Sequence, residues 1–135
     1  MVKPANQKET TQCEHASRMI GRISDKWTML VVRVLGEGPC RFNALRREVG
    51  EISQKVLAST LRDLEENGFV SRTVTPTKPP QVEYALTSLG REFLKPVQVL
   101  AEWVIANYPR IEVARTTYQK RTEAPASVGV THRLQ

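Results

Sequence analysis

The sequence predicts a mainly α domain with one small β-hairpin, and three observations predict it. Two amphipathic helical stretches within 41–67 are separated only by Gly50-Glu51-Ile52. Two short alternating segments, 70–75 and 82–86, follow at once, joined by the stiff tip Pro76-Thr77-Lys78-Pro79-Pro80. Apolar residues recur at helical spacing on both sides of this block, in 13–35 and in 88–107. Helix, tight turn, helix, strand, hairpin, strand is the order of a winged helix-turn-helix. That arrangement can lay one helix in the major groove of DNA.

The bulk properties set bounds. A chain of 135 residues suits one domain with one modest core. Its net charge of +6 points to a polyanionic partner because it accompanies a groove-sized helix. No apolar run reaches the roughly 20 residues that span a bilayer. The N-terminal stretch is polar and has no signal-peptide core, so a cytoplasmic location without membrane attachment is expected. Two cysteines, Cys13 and Cys40, make no disulfide framework, and reduced thiols are the default.

The elements follow in order. Residues 1–12 are polar and are expected to form a flexible arm. In 13–35 the apolar residues are Met19, Ile20, Ile23, Trp27, Leu30, Val31 and Val34, read as helices at 14–22 and 25–35 with Ser24 or Asp25 capping the second. Gly36-Glu37-Gly38-Pro39 stops it, with a glycine taking the left-handed C-cap. Phe42, Leu45 and Val49 mark the next helix. Ser53 opens the one after, whose buried stripe is Leu57, Leu61 and Leu64. Gly68 and Phe69 fit a Schellman ending. Val70, Arg72 and Val74 alternate with Ser71, Thr73 and Thr75, as in a half-buried strand; Val82, Tyr84 and Leu86 mark the return. Thr87 caps a last helix at 88–107, which Pro96 kinks and Tyr108-Pro109 ends. Residues 13–108 form the domain. The basic tail, 109–135, lacks sustained periodicity and is expected to be disordered.

The helix from Ser53 carries the chemistry. Gln54, Lys55 and Ser59 can reach base edges or phosphates; Gln pairs with adenine and Lys with guanine. Ser53 caps the helix and presents its first amides to a phosphate. Small Ala58 and Ser59 let the helix sit deep. Arg62, Arg46 and Arg47 suit backbone phosphates, which position a protein without specifying sequence. At the tip, Thr77 and Lys78 sit among prolines that fix the backbone, so docking costs little entropy. Lys78 would take a minor-groove or phosphate contact, with Arg72 behind it. The bland alternative is a solvated polar helix face and an ordinary hairpin loop. Met19, Ile20, Trp103, Val104 and Ile105, with Leu100 beside them, exceed what a small winged domain buries alone. A homodimer through the first and last helices would use them, setting two recognition helices about 34 Å apart. The alternative is that these helices fold back on their own domain.

The chain resembles the HxlR family, bacterial winged-helix transcription regulators related in architecture to MarR proteins. The resemblance rests on Cys13, Asp25-Lys26-Trp27-Thr28, Gly38-Pro39, Arg41-Phe42-Asn43-Ala44-Leu45-Arg46 and Gly50-Glu51-Ile52-Ser53-Gln54-Lys55-Val56-Leu57. It continues through Leu61-Arg62-Asp63-Leu64-Glu65, Gly68-Phe69-Val70-Ser71-Arg72, Pro79-Pro80-Gln81-Val82-Glu83-Tyr84, Leu86-Thr87 and Leu89-Gly90. These span 13–108 in order and spacing. The resemblance implies a homodimer that represses or activates nearby genes from a pseudo-palindromic operator. It also implies dimer contacts through the terminal helices. Gln81 departs from the family, which often has a basic residue there. The basic tail lies outside the resemblance.

Cys13 is read as preceding the first helix, where the helix terminus and His15 favour a thiolate. It matches the N-terminal cysteine with which several HxlR-like regulators sense oxidants, aldehydes or quinones. The alternative is a small buried apolar residue. Cys40, placed in the turn before the first short strand, reads as incidental; the alternative is a second redox site. Cys13, Glu14 and His15 give too few ligands and match no metal motif, so neither metal nor cofactor is expected. Enzyme readings fail for want of a Gly-rich phosphate loop, a nucleophile elbow or a paired-histidine motif. The expectation is a sequence-specific regulator, most simply a repressor, bound to double-stranded DNA and released by an oxidant or electrophile. The alternatives are induction by a reversible small-molecule ligand and a winged-helix module that binds only protein.

Overall fold

The computed structural model describes residues 7–123. The order is α1 (Gln7–Ile23), α2 (Lys26–Leu35), β1 (Cys40–Arg41), α3 (Phe42–Val49), α4 (Gln54–Glu66), β2 (Val70–Thr75), β3 (Gln81–Leu86) and α5 (Ser88–Thr122). The chain divides into two units, Met1–Gln98 and Val99–Gln135. The first holds α1 to α4, the sheet and the start of α5; the second holds the rest of α5.

Helix α1 begins at Gln7, so half of the expected arm is helix. Gln, Lys and Glu are good helix formers, and Glu9 in the first turn complements the helix dipole. Asp25 is the cap of α2. Its carboxylate accepts from the Trp27 and Thr28 amides at 2.7 and 3.2 Å and from the Thr28 hydroxyl at 3.1 Å. The Thr28 side chain is buried, so the carboxylate also satisfies a hydroxyl held away from water. Asp25→Ala is therefore expected to cost about 1–2 kcal/mol, while Asn at 25 restores most of it. Urea unfolding monitored at Trp27 checks both.

The C-cap of α2 corrects the sequence reading. Gly36 is right-handed, with φ −64°, and the positive φ belongs to Gly38. Gly36 serves space instead: a Cβ there would lie 2.6 Å from Leu94 Cδ2.

The α3–turn–α4 unit forms as its local signals direct. Gly50 ends α3 at φ +109°, a conformation that suits glycine. Ser53 Oγ accepts from the Val56 amide at 3.0 Å and caps α4. At its far end the Phe69 amide donates to the Leu64 carbonyl and the Gly68 amide to the Glu65 carbonyl, with Gly68 at φ +85°. That pair of bonds is the Schellman ending.

The core lies between α2, α3, α4 and the base of the sheet. Val31, Val32, Leu35, Leu45, Ile52, Leu57, Leu61 and Leu64 fill it, with Phe69, Val70 and Leu86 closing one side. Burying each large aliphatic side chain stabilises by about 1.5–3 kcal/mol.

The hairpin gains a third strand. The order is β1-β3-β2, antiparallel throughout, with Cys40 opposite Tyr84 and Val70 opposite Leu86. Cys40 is thus in a strand rather than in the turn before it. The half-buried expectation for β2 holds only at Val70; everything from Ser71 to Gln81 is exposed, Val74 included. The wing stands off the core, so its alternation has nothing to pack against.

Helix α5 corrects the largest expectation. It continues through Pro109 to Thr122, so 109–122 is helix rather than disordered tail. Proline removes one backbone bond but already has a helical φ. Next to it, Arg110 donates to Asn107 Oδ1 at 3.0 Å, and Asn107 Nδ2 donates to the Trp103 carbonyl at 2.8 Å. The remainder of the expected tail lies outside the described residues. Among the described residues, no helix is long and apolar enough to cross a membrane.

The start of α5 is tied to the end of α4. The Thr87 hydroxyl donates to the Gly68 carbonyl at 2.6 Å and accepts from the Gly90 amide at 3.1 Å. The Thr87 amide donates to the Phe69 carbonyl at 3.1 Å. Gly90 is buried, and a Cβ there would run into that same carbonyl. The rings of Phe69 and Phe93 pack beside it, centroids 5.1 Å apart.

Candidate nucleic-acid interface

Helix α4 separates its two faces cleanly. Leu57, Thr60, Leu61 and Leu64 are buried, whereas Gln54, Lys55, Ser59 and Arg62 are exposed and Ala58 is half-buried. Positions 55, 59 and 62 follow one stripe, and 54 and 58 the stripe beside it. The recognition face read from the sequence is thus one continuous surface of short and cationic side chains.

The charge order along α4 is informative. Its first turn holds Lys55 and no acid, and its last turns hold Asp63, Glu65 and Glu66 with no base at the end. The helix dipole favours the opposite order by about 0.3–1 kcal/mol per charge. An isolated helix would be steadier with the charges exchanged. A polyanion at the N-terminal half reverses that preference, since it meets Lys55 and the first amides and stays away from the carboxylates.

The arginines of α3 differ in role. Arg46 is half-buried, and its Nε donates to the Ile52 carbonyl at 3.0 Å. It clasps the turn between the helices, a role invisible in the sequence. Arg47 is exposed and lines an open depression with Asn43, Arg46 and Gly50. Sequence reasoning misses Asn43, whose place in the first turn of α3 gives no separate signal.

On the wing, Arg72, Thr77 and Lys78 are exposed. The Thr77 amide donates to the Thr75 carbonyl and its hydroxyl to the Pro79 carbonyl, both at 2.8 Å. Thr77 therefore shapes the tip that presents Lys78. Sequence reasoning also misses Arg41, whose Nη2 donates to Gln81 Oε1 at 2.6 Å from the neighbouring strand.

Cys13 lies within α1, well past its start at Gln7, and is exposed. The expected placement ahead of a helix terminus is therefore corrected, because the dipole acts within the first turn. Cys13 borders an open depression with Thr10, Glu14, Ser17 and Arg18. Cys40 is half-buried, and burial pushes its thiol up from the usual range, with Glu48 and Glu83 adding to the effect and Arg47 opposing it. Among the described residues no group of three His, Cys, Asp or Glu is placed to hold a metal.

The residues expected at a dimer interface are mostly exposed. In the first unit Ile20 is 58% exposed and Met19 is half-buried. In the second unit Leu100, Trp103 and Val104 are exposed on α5, along with Val99, Ile105 and Tyr108.

Known proteins with this sequence pattern and shape are regulators of transcription. The family model for the HxlR-like helix-turn-helix matches residues 22–112. The HTH-type transcriptional regulator YtfH of Escherichia coli K12 is 38% identical over 104 residues, covering 77% of this chain and 82% of that protein. The solved structure of the putative transcriptional regulator YtfH from Salmonella typhimurium superposes with a TM-score of 0.70 at 37% identity, over 75% of this chain and 90% of that one. The redox regulator HypR in its reduced form gives 0.68 at 35% identity, over 73% and 97%. The family and these relatives are transcriptional regulators rather than enzymes. With a helix-turn-helix, a wing and a family match across both, the chain belongs to the HxlR-like helix-turn-helix transcriptional regulators.

Proposed function

We propose that this regulator binds double-stranded DNA as a homodimer and represses transcription from a pseudo-palindromic operator. The observation that carries the reading is the charge order of α4, which disfavours the free helix and favours a helix docked against phosphates. In this reading Gln54, Lys55 and Ser59 meet base edges, Ser53 and Arg62 meet phosphates, and Ala58 permits close approach. Arg46, Arg47 and Arg72 add positive charge, and Thr77 sets Lys78 against the flanking groove or backbone. The exposed apolar residues Ile20, Leu100, Trp103 and Val104, with Met19, pair with those of a second copy. Footprinting on the intergenic DNA beside the gene tests it: a symmetric protected site is expected, lost steeply as salt rises. A smooth, sequence-independent pattern, or a monomer at binding concentrations, overturns it.

An oxidant or electrophile acting at Cys13 is the proposed release signal. Cys13 is exposed, and the similar HypR is a redox regulator solved in reduced and oxidized forms. Cys40 is less accessible, being half-buried, and burial with acidic neighbours pushes its thiol up from the usual range. Diamide is expected to release DNA from the wild type and to leave Cys13→Ser bound. Release from both proteins, read by gel shift, would remove Cys13 from the mechanism.

A further inference from the structure

Arg41 and Gln81 form a pair whose geometry has a consequence for the wing. Gln81 follows the proline tip directly and makes the last rung of the wing ladder, opposite Thr75. Arg41 lies in β1, where the register sets it across from Glu83. An unlike charge directly opposite is a favoured partner in an antiparallel pair. The guanidinium bonds elsewhere: Nη2 donates to Gln81 Oε1 at 2.6 Å. Gln81 is two positions nearer the tip than Glu83, so this bond draws the guanidinium along β3 toward Lys78. The acceptor is neutral and leaves the positive charge of the guanidinium uncompensated. It also occupies only part of the donor fork, and Arg41 and Gln81 are both exposed.

We propose that Arg41 is a phosphate contact of the wing, and that Gln81 is its positioning residue, holding the guanidinium toward the tip and away from Glu83. The wing then presents two cations, Lys78 from its own loop and Arg41 lent by the adjacent strand. A planar fork fixed on one side by an amide suits a phosphate oxygen better than a free side chain does, because docking then restricts fewer rotamers. The inference rests on the DNA-binding reading above.

The test is operator affinity measured across a salt series, with thermal unfolding as the folding control for each variant. Arg41→Ala is expected to make the slope of log affinity against log salt shallower by about 0.9 for each phosphate it leaves without a cation. Arg41→Lys should keep most of that slope. Gln81→Ala is expected to flatten the slope as Arg41→Ala does, because the guanidinium turns to Glu83. Adding Glu83→Gln to Gln81→Ala should return it. A wild type that protects no operator defeats the DNA-binding reading itself. A wild type that binds, with Arg41→Ala showing an unchanged slope, defeats the phosphate role of Arg41. A Gln81→Ala slope equal to wild type, or one that Glu83→Gln fails to restore, defeats the positioning role.

Discussion

Gly90→Ala is expected to destabilise the protein by about 2 kcal/mol, against the usual sign for such a change in a helix. Alanine in a helix interior ordinarily gains up to about 1 kcal/mol over glycine. At position 90 the added methyl would enter the space of the Phe69 carbonyl, with Leu86 Cδ2 also within contact. Backbone cannot swing aside as a side chain does, so either α5 or the β2 start must move. Overpacking of this kind costs about 1–3 kcal/mol. The shift would also pull on the Thr87 bonds to Gly68 and Phe69, which hold the end of α4. Gly21→Ala is the matched control. It changes the same residue type in helix α1, where a Cβ meets nothing within 4 Å. That variant is expected to gain about 0.5–1 kcal/mol. Thermal melts should therefore move in opposite directions, with Gly90→Ala lower by about 8 °C on a scale of roughly 4 °C per kcal/mol. A Gly90→Ala melt at or above wild type would show that the close approach of Gly90 to Phe69 does not limit the fold.

The second large effect falls on binding. Replacing both Gln54 and Lys55 with Ala is expected to erase operator preference while leaving the fold intact. Both side chains are exposed in the first turn of α4, and surface changes of this kind stay within about 0.5 kcal/mol of wild-type stability. Each base contact in the major groove discriminates by about 1–3 kcal/mol. Losing two in each subunit lowers specific affinity by roughly 10³-fold or more. Nonspecific binding should persist, weakened but still salt-sensitive, because Arg47, Arg62, Arg72 and Lys78 remain. Competition footprinting with operator against bulk genomic DNA separates the two components. An unchanged footprint from the double variant would mean that α4 is not the reading helix.

Much of the architecture is legible in the sequence because its signals are local. Ser53, the leucine stripe 57, 61, 64 and the Gly68-Phe69 ending each act over a few residues, and each appears where the sequence places it. The exposed polar side of α4 is legible for the same reason, since the buried stripe fixes what remains outside. The start of α1 is hidden because its residues are polar and show no apolar stripe, although Gln, Lys and Glu sustain helix. Pro109 looks like a stop in the sequence, yet its fixed φ is helical and it removes only one backbone bond, so the helix runs on through it. The last helix therefore reads as too short, just as the late start expected for α1 displaces Cys13. Strand β1 has only two residues, too few to show alternation. The clasp of Arg46 on Ile52 and the bond from Arg41 to Gln81 join residues that only the folded chain brings near.

Every residue from Ser71 to Gln81 is exposed, and the ladder there holds its shape through backbone bonds that most side chains can share. Changes of composition there carry little folding penalty, as do changes on the outward side of α4. With DNA bound as proposed, selection can retarget such a protein to a new promoter by altering a few superficial positions, with the interior passed on untouched.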